Sequence, residues 1–246
     1  MGAQGTAGHR PMDPRAGRVL SRSREIAHRL VPAYRRTVGP VVNRLFHLDL
    51  VEKTQNFSDV TWLGHPVWQN VLDLWTIQET IVAVRPNLLI ETGTNRGGSA
   101  LFYCHLLDLL GHGTVLSVDV TKQHQLEHPR ATFLTGDSTG REVVERVQAA
   151  VNAAHGPVMV ILDSDHSEGH VRKELDLYAN FVTRDSYLIV QDSCIDVLPT
   201  ARSQRPGPLP AIRRFLATHP EFEIDHQADS RFLISHHPCG WLRRVA

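Results

Sequence analysis

One short stretch constrains the fold more than any other part of the chain. It runs from Leu88 to Ala100 with the sequence LLIETGTNRGGSA, in which an apolar strand leads through an acid into a glycine-rich turn and a helix that begins near Ser99. Glycine lets the backbone adopt positive φ and approach a ligand closely, and the free N–H groups of a helix start attract such a ligand. Three glycines provide this freedom: Gly93, Gly97 and Gly98. The stretch predicts a site for a nucleotide-type cofactor.

The spacing of the turn separates two kinds of cofactor. A dinucleotide-binding turn has the pattern G-x-G-x-x-G, which places pyrophosphate at the helix N-terminus. Here the spacing is G-x-x-x-G-G, and Glu91 lies where its charge would repel a diphosphate. A carboxylate at this position favours a cationic ligand such as S-adenosylmethionine. A tight strand–helix connection without any ligand gives the same local pattern. The residues that follow the later strands are needed to distinguish a cofactor-binding turn from such a connection.

Each later strand is also followed by an acid. The predicted strands are 115–119, 131–135, 158–162 and 187–190, and the acids at or just after their ends are Asp119, Asp137, Asp163 and Asp192. The carboxyl ends of parallel strands lie at one edge of a sheet, where ligands bind. Either these acids form a site at that edge, or each one caps the helix that follows it.

Strands and helices alternate between residues 88 and 192. The predicted helices are 100–110, 141–154 and 170–181. Such alternation predicts a Rossmann-like α/β fold with a doubly wound, mostly parallel, seven-stranded sheet. After a Pro/Gly-rich loop and a helix at 211–218, two strands are predicted at Phe222–Asp225 and Arg231–Ser235. They are too close in sequence for a crossover helix, so we expect them to pair antiparallel.

The N-terminal segment differs from the rest in charge. Residues 1–46 contain nine arginines against Asp13 and Glu25, a net charge of +7, although the whole chain is neutral. We predict a disordered segment at 1–17, a basic helical extension at 18–60 and the main domain at 61–246. The helix predicted from Val19 to Tyr34 has one apolar stripe. It either lies on an anionic membrane surface or a partner, or docks on the protein with its arginines solvated.

Cysteine and histidine spacing disfavours two other classes of protein. The three cysteines are too few and too scattered for a disulfide framework or a zinc knuckle, which favours a reducing, cytoplasmic compartment. His166 and His170 are four residues apart, but the motif is not H-E-x-x-H, and Gly169 is a poor residue for a helix interior. No apolar run has the length of a membrane span. We therefore expect neither a zinc hydrolase nor an integral membrane protein.

Several runs of residues occur together in an order that is more specific than any one motif. They are ETGT and GGSAL in the turn, LDSDHS at 162–167 with HV at 170–171 and EL at 174–175, SYLIV at 186–190, and RFL at 231–233 ahead of GWLRR at 240–244. TWLG at 61–64 and LDLW at 72–75 extend the likeness. Over roughly residues 50–244 the chain resembles the cephalosporin hydroxylase / rhamnosyl O-methyltransferase family.

This resemblance implies a class I S-adenosylmethionine-dependent methyltransferase that often uses Mg²⁺, with sugar hydroxyls of glycolipids or antibiotic intermediates as acceptors. The family pattern has an Asp after the fourth strand and an acidic pair after the fifth. Asp163 and Asp192 match that pattern, whereas Gln191 stands where a Glu is usual. An amide oxygen can still bind Mg²⁺, so the implied ligands are Asp163, Gln191 and Asp192. Weaker binding, compensation by Asp165, or a site without an ion are the alternatives.

The chemistry of methyl transfer assigns further roles. A sugar hydroxyl is a very weak acid, so the site needs a Lewis acid or a general base. His166 is the predicted base, oriented by Asp165, because imidazole titrates near neutral pH. Alternatively, His166 is a supporting or capping group. The predicted cofactor-binding residues are Glu91 and Gly93 for the amino-acid part, Asp119 for the ribose, Asp137 and Ser138 for the adenine, and also Thr94, Gly98, Ser99 and Asp163.

The sequence therefore predicts an S-adenosylmethionine-dependent O-methyltransferase that acts on a glycosyl, glycolipid or secondary-metabolite hydroxyl. Two alternatives are a cofactor-binding module without catalysis and an NAD-dependent oxidoreductase, the latter disfavoured by the glycine spacing and Glu91. Besides the small-molecule or glycolipid acceptor, we expect a peripheral membrane contact and a homo-oligomer, and no nucleic acid. Trp62 and Trp75 either shape the acceptor pocket or belong to the core.

Overall fold

The structure, a computed structural model, describes residues 33–34, 36–49 and 59–246, apart from the side chain of residue 200. These residues fall into two units that are divided after Leu45. Helix α1 runs from Gly39 to His47. The segment 1–17 and all but the end of the helix predicted at 19–34 lie outside the described residues. Within the described part, no helix is long and apolar enough to cross a membrane.

A seven-stranded sheet forms the centre of the second unit. Its order is β5-β4-β3-β6-β7-β9-β8, and only β9 runs antiparallel to its neighbours. The strands are β3 (Leu88–Thr92), β4 (Thr114–Asp119), β5 (Ala131–Thr135), β6 (Val158–Leu162), β7 (Tyr187–Val190), β8 (Phe222–Ile224) and β9 (Trp241–Arg244). A short hairpin of β1 (Thr61–Trp62) and β2 (His65–Pro66) precedes them. The predicted Rossmann-like, mostly parallel sheet is confirmed.

Helices connect these strands as the alternation predicted. They are α2 (Val71–Val84), α3 (Gly98–Leu110), α4 (Arg141–Ala153), α5 (Glu168–Tyr178), α6 (Pro208–Thr218) and α7 (His226–Asp229). Among the described residues, 3₁₀ helices cover Ala179–Phe181, Ser193–Asp196 and Pro199–Gln204. The predicted helix 170–181 is therefore an α-helix that ends in a 3₁₀ turn.

The strand predicted at Arg231–Ser235 is wrong. This segment forms turns after α7, and Leu233 has φ +68°, which a β-strand does not accommodate. Arg231 instead makes two hydrogen bonds to Glu79 on α2. The antiparallel partner of β8 is β9, whose Trp241 and Leu242 are fully buried. The pattern near Arg231 favoured a strand. In the structure the buried position next to β7 is occupied by the later segment Trp241–Arg244.

Two hydrophobic cores lie on the two faces of the sheet. Successive residues of a strand point to opposite faces, so Leu89, Met159 and Ile189 pack in one core and Ile90, Val160 and Leu188 in the other. Helices α2 and α3 contribute to the first core, and α4, α5 and α6 to the second. Burying each such side chain contributes about 1.5–3 kcal/mol, as an upper estimate. Strands covered on both faces read as continuous apolar runs, as β6 does.

The register of the sheet aligns the carboxyl ends of four strands. Thr92 pairs with both Val118 and Leu162, and Leu162 pairs with Val190. Asp119, Asp163 and Gln191 follow these partners directly. The strand ends therefore bring residues that are far apart in sequence to one level at one edge of the sheet.

Candidate active site

A cavity of about 720 Å³ opens at this edge, a volume within the usual range for a small-ligand site. Ten of the residues predicted to act in the site line it: Gly93, Thr94, Ser99, Asp119, Asp137, Ser138, Asp163, Asp165, His166 and Asp192. The lining does not include Glu91, Gly98 or Gln191. Those three lie behind the wall and contact residues that form it.

Two glycines of the turn are required by close approaches of the backbone. Gly93 has φ +91°, and a Cβ atom there would lie 1.9 Å from the carbonyl oxygen of Asp163. At Gly98 a Cβ atom would lie 2.2 Å from the carbonyl oxygen of Pro66. Glycine therefore lets the β3–α3 turn pack directly on the end of β6 and on the hairpin. The close neighbour at both positions is protein backbone.

Glu91 supports this turn from inside the protein. Its side chain is fully buried and accepts hydrogen bonds from the hydroxyls of Ser99 and Ser117. Thr94 shares a further hydroxyl contact with Ser117. Burial raises the pKa of Glu91 to about 7, although the two serine hydroxyls oppose the rise. Glu91 thus holds a negative charge close beneath the cavity only at the cost of desolvation.

Asp119 and Asp137 lie at the ends of β4 and β5 with their carboxylates fixed by backbone N–H groups. Asp119 accepts from the N–H groups of Asn95, at 2.7 Å, and Thr121, at 3.1 Å. Asp137 accepts from the N–H and the hydroxyl of Thr139, and these bonds hold its pKa below the usual range. Both residues therefore stabilise loops as capping acids do and also line the cavity.

Asp163 occupies the centre of the site. Burial, together with the nearby charges of Asp192 and Glu91, raises its pKa well above the usual range. The amide of Gln69 donates to Asp163 Oδ2 at 3.0 Å. The side-chain amide of Gln191 makes hydrogen bonds to its neighbours when its nitrogen points at Asp163, 3.1 Å from both carboxylate oxygens. Two buried amides therefore fix this carboxylate from behind, and the side-chain oxygen of Gln191 faces Gln69 rather than the cavity.

His166 lies between the two carboxylates that follow β6 and β7. Its Nε2 atom is 3.4 Å from Asp192 Oδ2 and 3.9 Å from Asp163 Oδ1. Asp165, which we expected to orient this ring, accepts a hydrogen bond from the N–H of Ser167, the N-cap residue of α5, at 2.8 Å and so fixes the loop before that helix. The carboxylate closest to His166 in these contacts is Asp192.

Asp192 carries the charge of the pair. It lies two residues after the end of β7 and has φ +56°, an unusual conformation for a residue other than glycine. Burial alone would raise its pKa, but His166, His236 and His237 outweigh burial and hold it below the usual range. The pKa of Asp163 is therefore raised and that of Asp192 lowered, as expected for neighbouring acids that compete for one proton.

The donor atoms fit a divalent cation. One ligand atom from each of Asp163, His166 and Asp192 lies within 4.8 Å of the others. Two carboxylates in so small a space repel each other unless a proton or a cation lies between them. Mg²⁺ prefers carboxylate oxygens and retains several waters, and imidazole is a softer ligand that it does not need. The oxygens of Asp163 and Asp192 thus match Mg²⁺, and His166 keeps its nitrogen for other chemistry.

The sequence pattern missed two residues of this site. Trp68 lines the cavity with about half of its side chain exposed, and it has φ +55°. Gln69, its neighbour, is almost fully buried against Asp163. Neither residue lies in a recognisable motif. Both precede α2, and only the tertiary fold brings them next to the site. Trp62, which we considered for the pocket, packs on Phe102 and donates to His105.

Comparison with known proteins gives the family. A family model described as Rhamnosyl O-methyltransferase/CmcI matches residues 54–245. The chain belongs to this family. Rhamnosyl O-methyltransferase of Mycobacterium tuberculosis (strain H37Rv) is 33% identical over 196 residues, which cover 76% of this chain and 79% of the relative. The protein of that name from Mycobacterium leprae is 31% identical over 193 residues, which cover 76% and 84%.

Solved structures of CmcI share the fold. A CmcI structure with Mg and SAM has a TM-score of 0.61 and 19% identity, with 78% of each chain covered. The apo structure of CmcI has a TM-score of 0.60 and 20% identity over the same shares. Together with the family, the curated relatives show that this protein is an S-adenosylmethionine-dependent O-methyltransferase. The oxidoreductase and the non-catalytic module are therefore set aside.

Proposed function

We propose that this family member methylates a hydroxyl of a glycosyl acceptor, with Mg²⁺ held by Asp163 and Asp192 and with His166 as the general base. The observation that carries the proposal is the convergence of these three side chains at one end of a cavity that Asp119 and Asp137 line further along. A cofactor site and an acid–base centre thus share one space. This is the arrangement that methyl transfer to a weakly acidic oxygen needs.

The cofactor roles follow from the positions along the cavity. We assign Asp119, at the end of β4, to the ribose hydroxyls, and Asp137 with Ser138, just after β5, to the adenine. Gly93 and Thr94 line the cavity between these acids and Asp163, where the amino-acid part would lie. Glu91 acts indirectly, because its negative charge beneath the turn favours a cationic sulfonium over a neutral ligand.

Asp163 and Asp192 are the residues that would hold the metal. When bound, Mg²⁺ supplies a Lewis acid that lowers the pKa of the acceptor hydroxyl and a template that orients it. Gln69 and Gln191 donate to Asp163 and keep its carboxylate in a fixed position. In this proposal Gln191 positions a ligand and does not bind the ion itself, which differs from its predicted role.

His166 accepts the proton of the acceptor hydroxyl at Nε2 as the oxygen attacks the methyl carbon. Asp192, 3.4 Å away, stabilises the imidazolium that forms. Asp165 holds the start of α5 and thereby the backbone next to His166. The ring is about one quarter exposed toward the cavity, so an acceptor can reach it.

The acceptor class is supported by two observations. The curated relatives carry the name rhamnosyl O-methyltransferase. Trp68 presents a half-exposed indole to the same cavity, and an aromatic face is a suitable surface for the apolar face of a pyranose ring. A rhamnosyl or similar glycoside is therefore the first acceptor to test.

The test is methyl transfer from methyl-labelled S-adenosylmethionine to methyl α-L-rhamnoside and to rhamnosyl glycolipids, with Mg²⁺ present. We expect a labelled methyl ether, and we expect Asp192→Asn to lose about 100-fold in kcat/KM or more. Asp176→Asn, an exposed residue of α5, is the matched control and should keep wild-type activity. Labelling of phenolic acceptors but of no glycoside would refute the acceptor class, and an active Asp192→Asn would refute the role of Asp192.

Two finer predictions concern partners. Most of the arginine-rich segment lies outside the described residues, so its contact with an anionic membrane remains a prediction, as does the homo-oligomer. Co-sedimentation with phosphatidylserine vesicles, compared at low and high salt, tests the first. Sedimentation equilibrium tests the second.

A further inference from the structure

Asp192 belongs to a second cluster of ligand atoms on the side away from His166. This cluster, here called the sulfur cluster, consists of Asp192, Cys194 and His236, with one donor atom from each within 4.8 Å of the others. Cys194 and His236 are buried and do not line the cavity. The proposed function uses neither of them.

The two oxygens of Asp192 divide between the two clusters. Oδ2 lies 3.4 Å from Nε2 of His166, whereas Oδ1 lies 3.9 Å from Nδ1 of His236. In a tetrahedral zinc centre with bonds of about 2.0–2.3 Å, the donor atoms are separated by about 3.3–3.8 Å. The 3.9 Å between Asp192 and His236 is close to this separation, and the Cys194 sulfur lies within 4.8 Å of both donor atoms.

Backbone contacts hold the sulfur cluster in place. The N–H of Cys194 donates to the carbonyl of His236 at 3.0 Å, and the N–H of His236 donates to the buried carboxylate of Asp73 at 2.8 Å. The N–H of Asp192 donates to Nδ1 of His237 at 3.0 Å. Two of these hydrogen bonds join the chain after β7 to the chain before β9, and the third joins the latter segment to Asp73 on α2.

The imidazole of His47 lies next to the sulfur cluster. The ring of His47 packs on that of His236 with a centroid distance of 4.5 Å and an interplanar angle of 31°. Its Nδ1 atom is buried and has no hydrogen-bond partner in the described part of the chain. A buried nitrogen without a partner is costly, and a nearby cation or its water would satisfy it.

We propose that the sulfur cluster binds a soft divalent cation, Zn²⁺ or Cd²⁺, and that this ion weakens Mg²⁺ binding on the other side of Asp192. Thiolate, imidazole and carboxylate are the donors that zinc takes, and the thiol proton of Cys194 passes to solvent on binding. Two divalent ions on one carboxylate repel each other and share its single charge. The second half of the proposal rests on the proposed magnesium site, whereas the first half does not.

The first experiment titrates the metal-free protein with Cd²⁺ and follows the ultraviolet charge-transfer band of a cadmium–thiolate bond. We expect the band to saturate at one equivalent in the wild type, in Cys104→Ser and in Cys239→Ser, and to be lost in Cys194→Ser. His236→Asn keeps the thiol but should lower the affinity for Cd²⁺. The decrease should exceed the roughly 10–100-fold that loss of a residue supporting a metal ligand causes. A wild type without the band, or a band that persists in Cys194→Ser, overturns the site.

The second experiment measures Mn²⁺ affinity by electron paramagnetic resonance, with Mn²⁺ as the probe of the magnesium site. One equivalent of Zn²⁺ should weaken Mn²⁺ binding about tenfold or more in the wild type, and far less in Cys194→Ser. Equal weakening in both proteins overturns the coupling. If Mn²⁺ does not bind the wild type at all, the proposed magnesium site and the coupling fail together, while a cadmium–thiolate band still establishes the sulfur cluster.

Discussion

At the scale of the residue, Asp163 decides the charge balance of the site. It is one of two carboxylates in contact with His166, and the amides of Gln69 and Gln191 donate to it. Amides can fix a carboxylate without adding charge, whereas a third acid would add to the repulsion. With Gln191 in place of an acid, the site has two carboxylates, Asp163 and Asp192. The two amides hold Asp163 in position without a bound cation.

Replacement of Gln191 by Glu tests this reading. In the absence of metal, Gln191→Glu should lower the free energy of unfolding by about 1–3 kcal/mol at pH 8, because a buried charge is added without a partner. With Mn²⁺ the same carboxylate should tighten binding. Urea unfolding in EDTA and Mn²⁺ titration measure the two effects. Gln148→Glu on the exposed face of α4 is the control, and a weaker Mn²⁺ affinity in Gln191→Glu would contradict the prediction.

Trp68 gives a second prediction at this scale. Trp68→Leu should raise KM for the glycoside about tenfold, the equivalent of about 1.4 kcal/mol, with little change in kcat. The affinity for S-adenosylhomocysteine should stay unchanged if the indole contacts only the acceptor. Trp75→Leu is the matched control, because Trp75 is exposed to a similar degree but does not line the cavity. A loss of cofactor affinity in Trp68→Leu would place the indole on the cofactor instead.

At the scale of the element, the β3–α3 turn and the end of β6 act as one unit. The turn packs so closely on Asp163 that only glycine fits at position 93. The hydrogen bond from the N–H of Ser167, the N-cap of α5, to Asp165 then fixes the other side of the loop that carries His166. The positions of the carboxylate and the imidazole thus depend on backbone contacts between two connections, and not only on their own side chains.

Gly93→Ala should therefore be severe. The added Cβ atom would lie 1.9 Å from a carbonyl oxygen in a residue with φ +91°, so we expect a loss of about 3 kcal/mol or more in the free energy of unfolding. Gly111→Ala has a similar φ of +78° but nothing within 4 Å of the new atom, and it should cost only about 1 kcal/mol. Urea unfolding compares the two variants. Equal losses would show that backbone strain, and not the contact with Asp163, decides the effect.

At the scale of the whole molecule, the two cores on the faces of the sheet bury Glu91 completely. A sheet covered on both sides leaves no solvent at its strand interiors, so an acid placed there ionises reluctantly. The stability of the protein therefore depends on pH through a residue that belongs to the cofactor turn.

The sign follows from the raised pKa of Glu91, about 7 when folded. The stability from the protonated form is fully present below the unfolded pKa, near 4.5, and is lost as pH rises through about 7. The free energy of unfolding of the cofactor-free protein should fall by up to about 3 kcal/mol between pH 5 and pH 8, relative to Glu91→Gln. Urea titrations across this range measure it. Parallel pH profiles of the two proteins would contradict the assignment.

Much of the fold was readable because it is locally specified. The apolar runs at β3, β6 and β7 predicted these strands, and the structure confirms them. The strand at Arg231–Ser235 was wrong because several short segments near the C-terminus have strand-forming composition, and only burial beside β7 selects Trp241–Arg244. Trp68 and Gln69 had no local signal, since their position depends on how the hairpin packs on Gly98.

By itself, the sequence determined that the chain forms a doubly wound sheet and that its acids gather at one edge, because alternation and strand polarity are local properties that parallel pairing converts into a common edge. Only the tertiary structure decided which acids share a site. Register places Asp163 beside Asp192 and turns the Gln191 amide onto Asp163, and packing places Cys194 and His236 on the far side of Asp192. Distances between side chains from remote segments depend on the summed packing of both cores, which no local pattern contains.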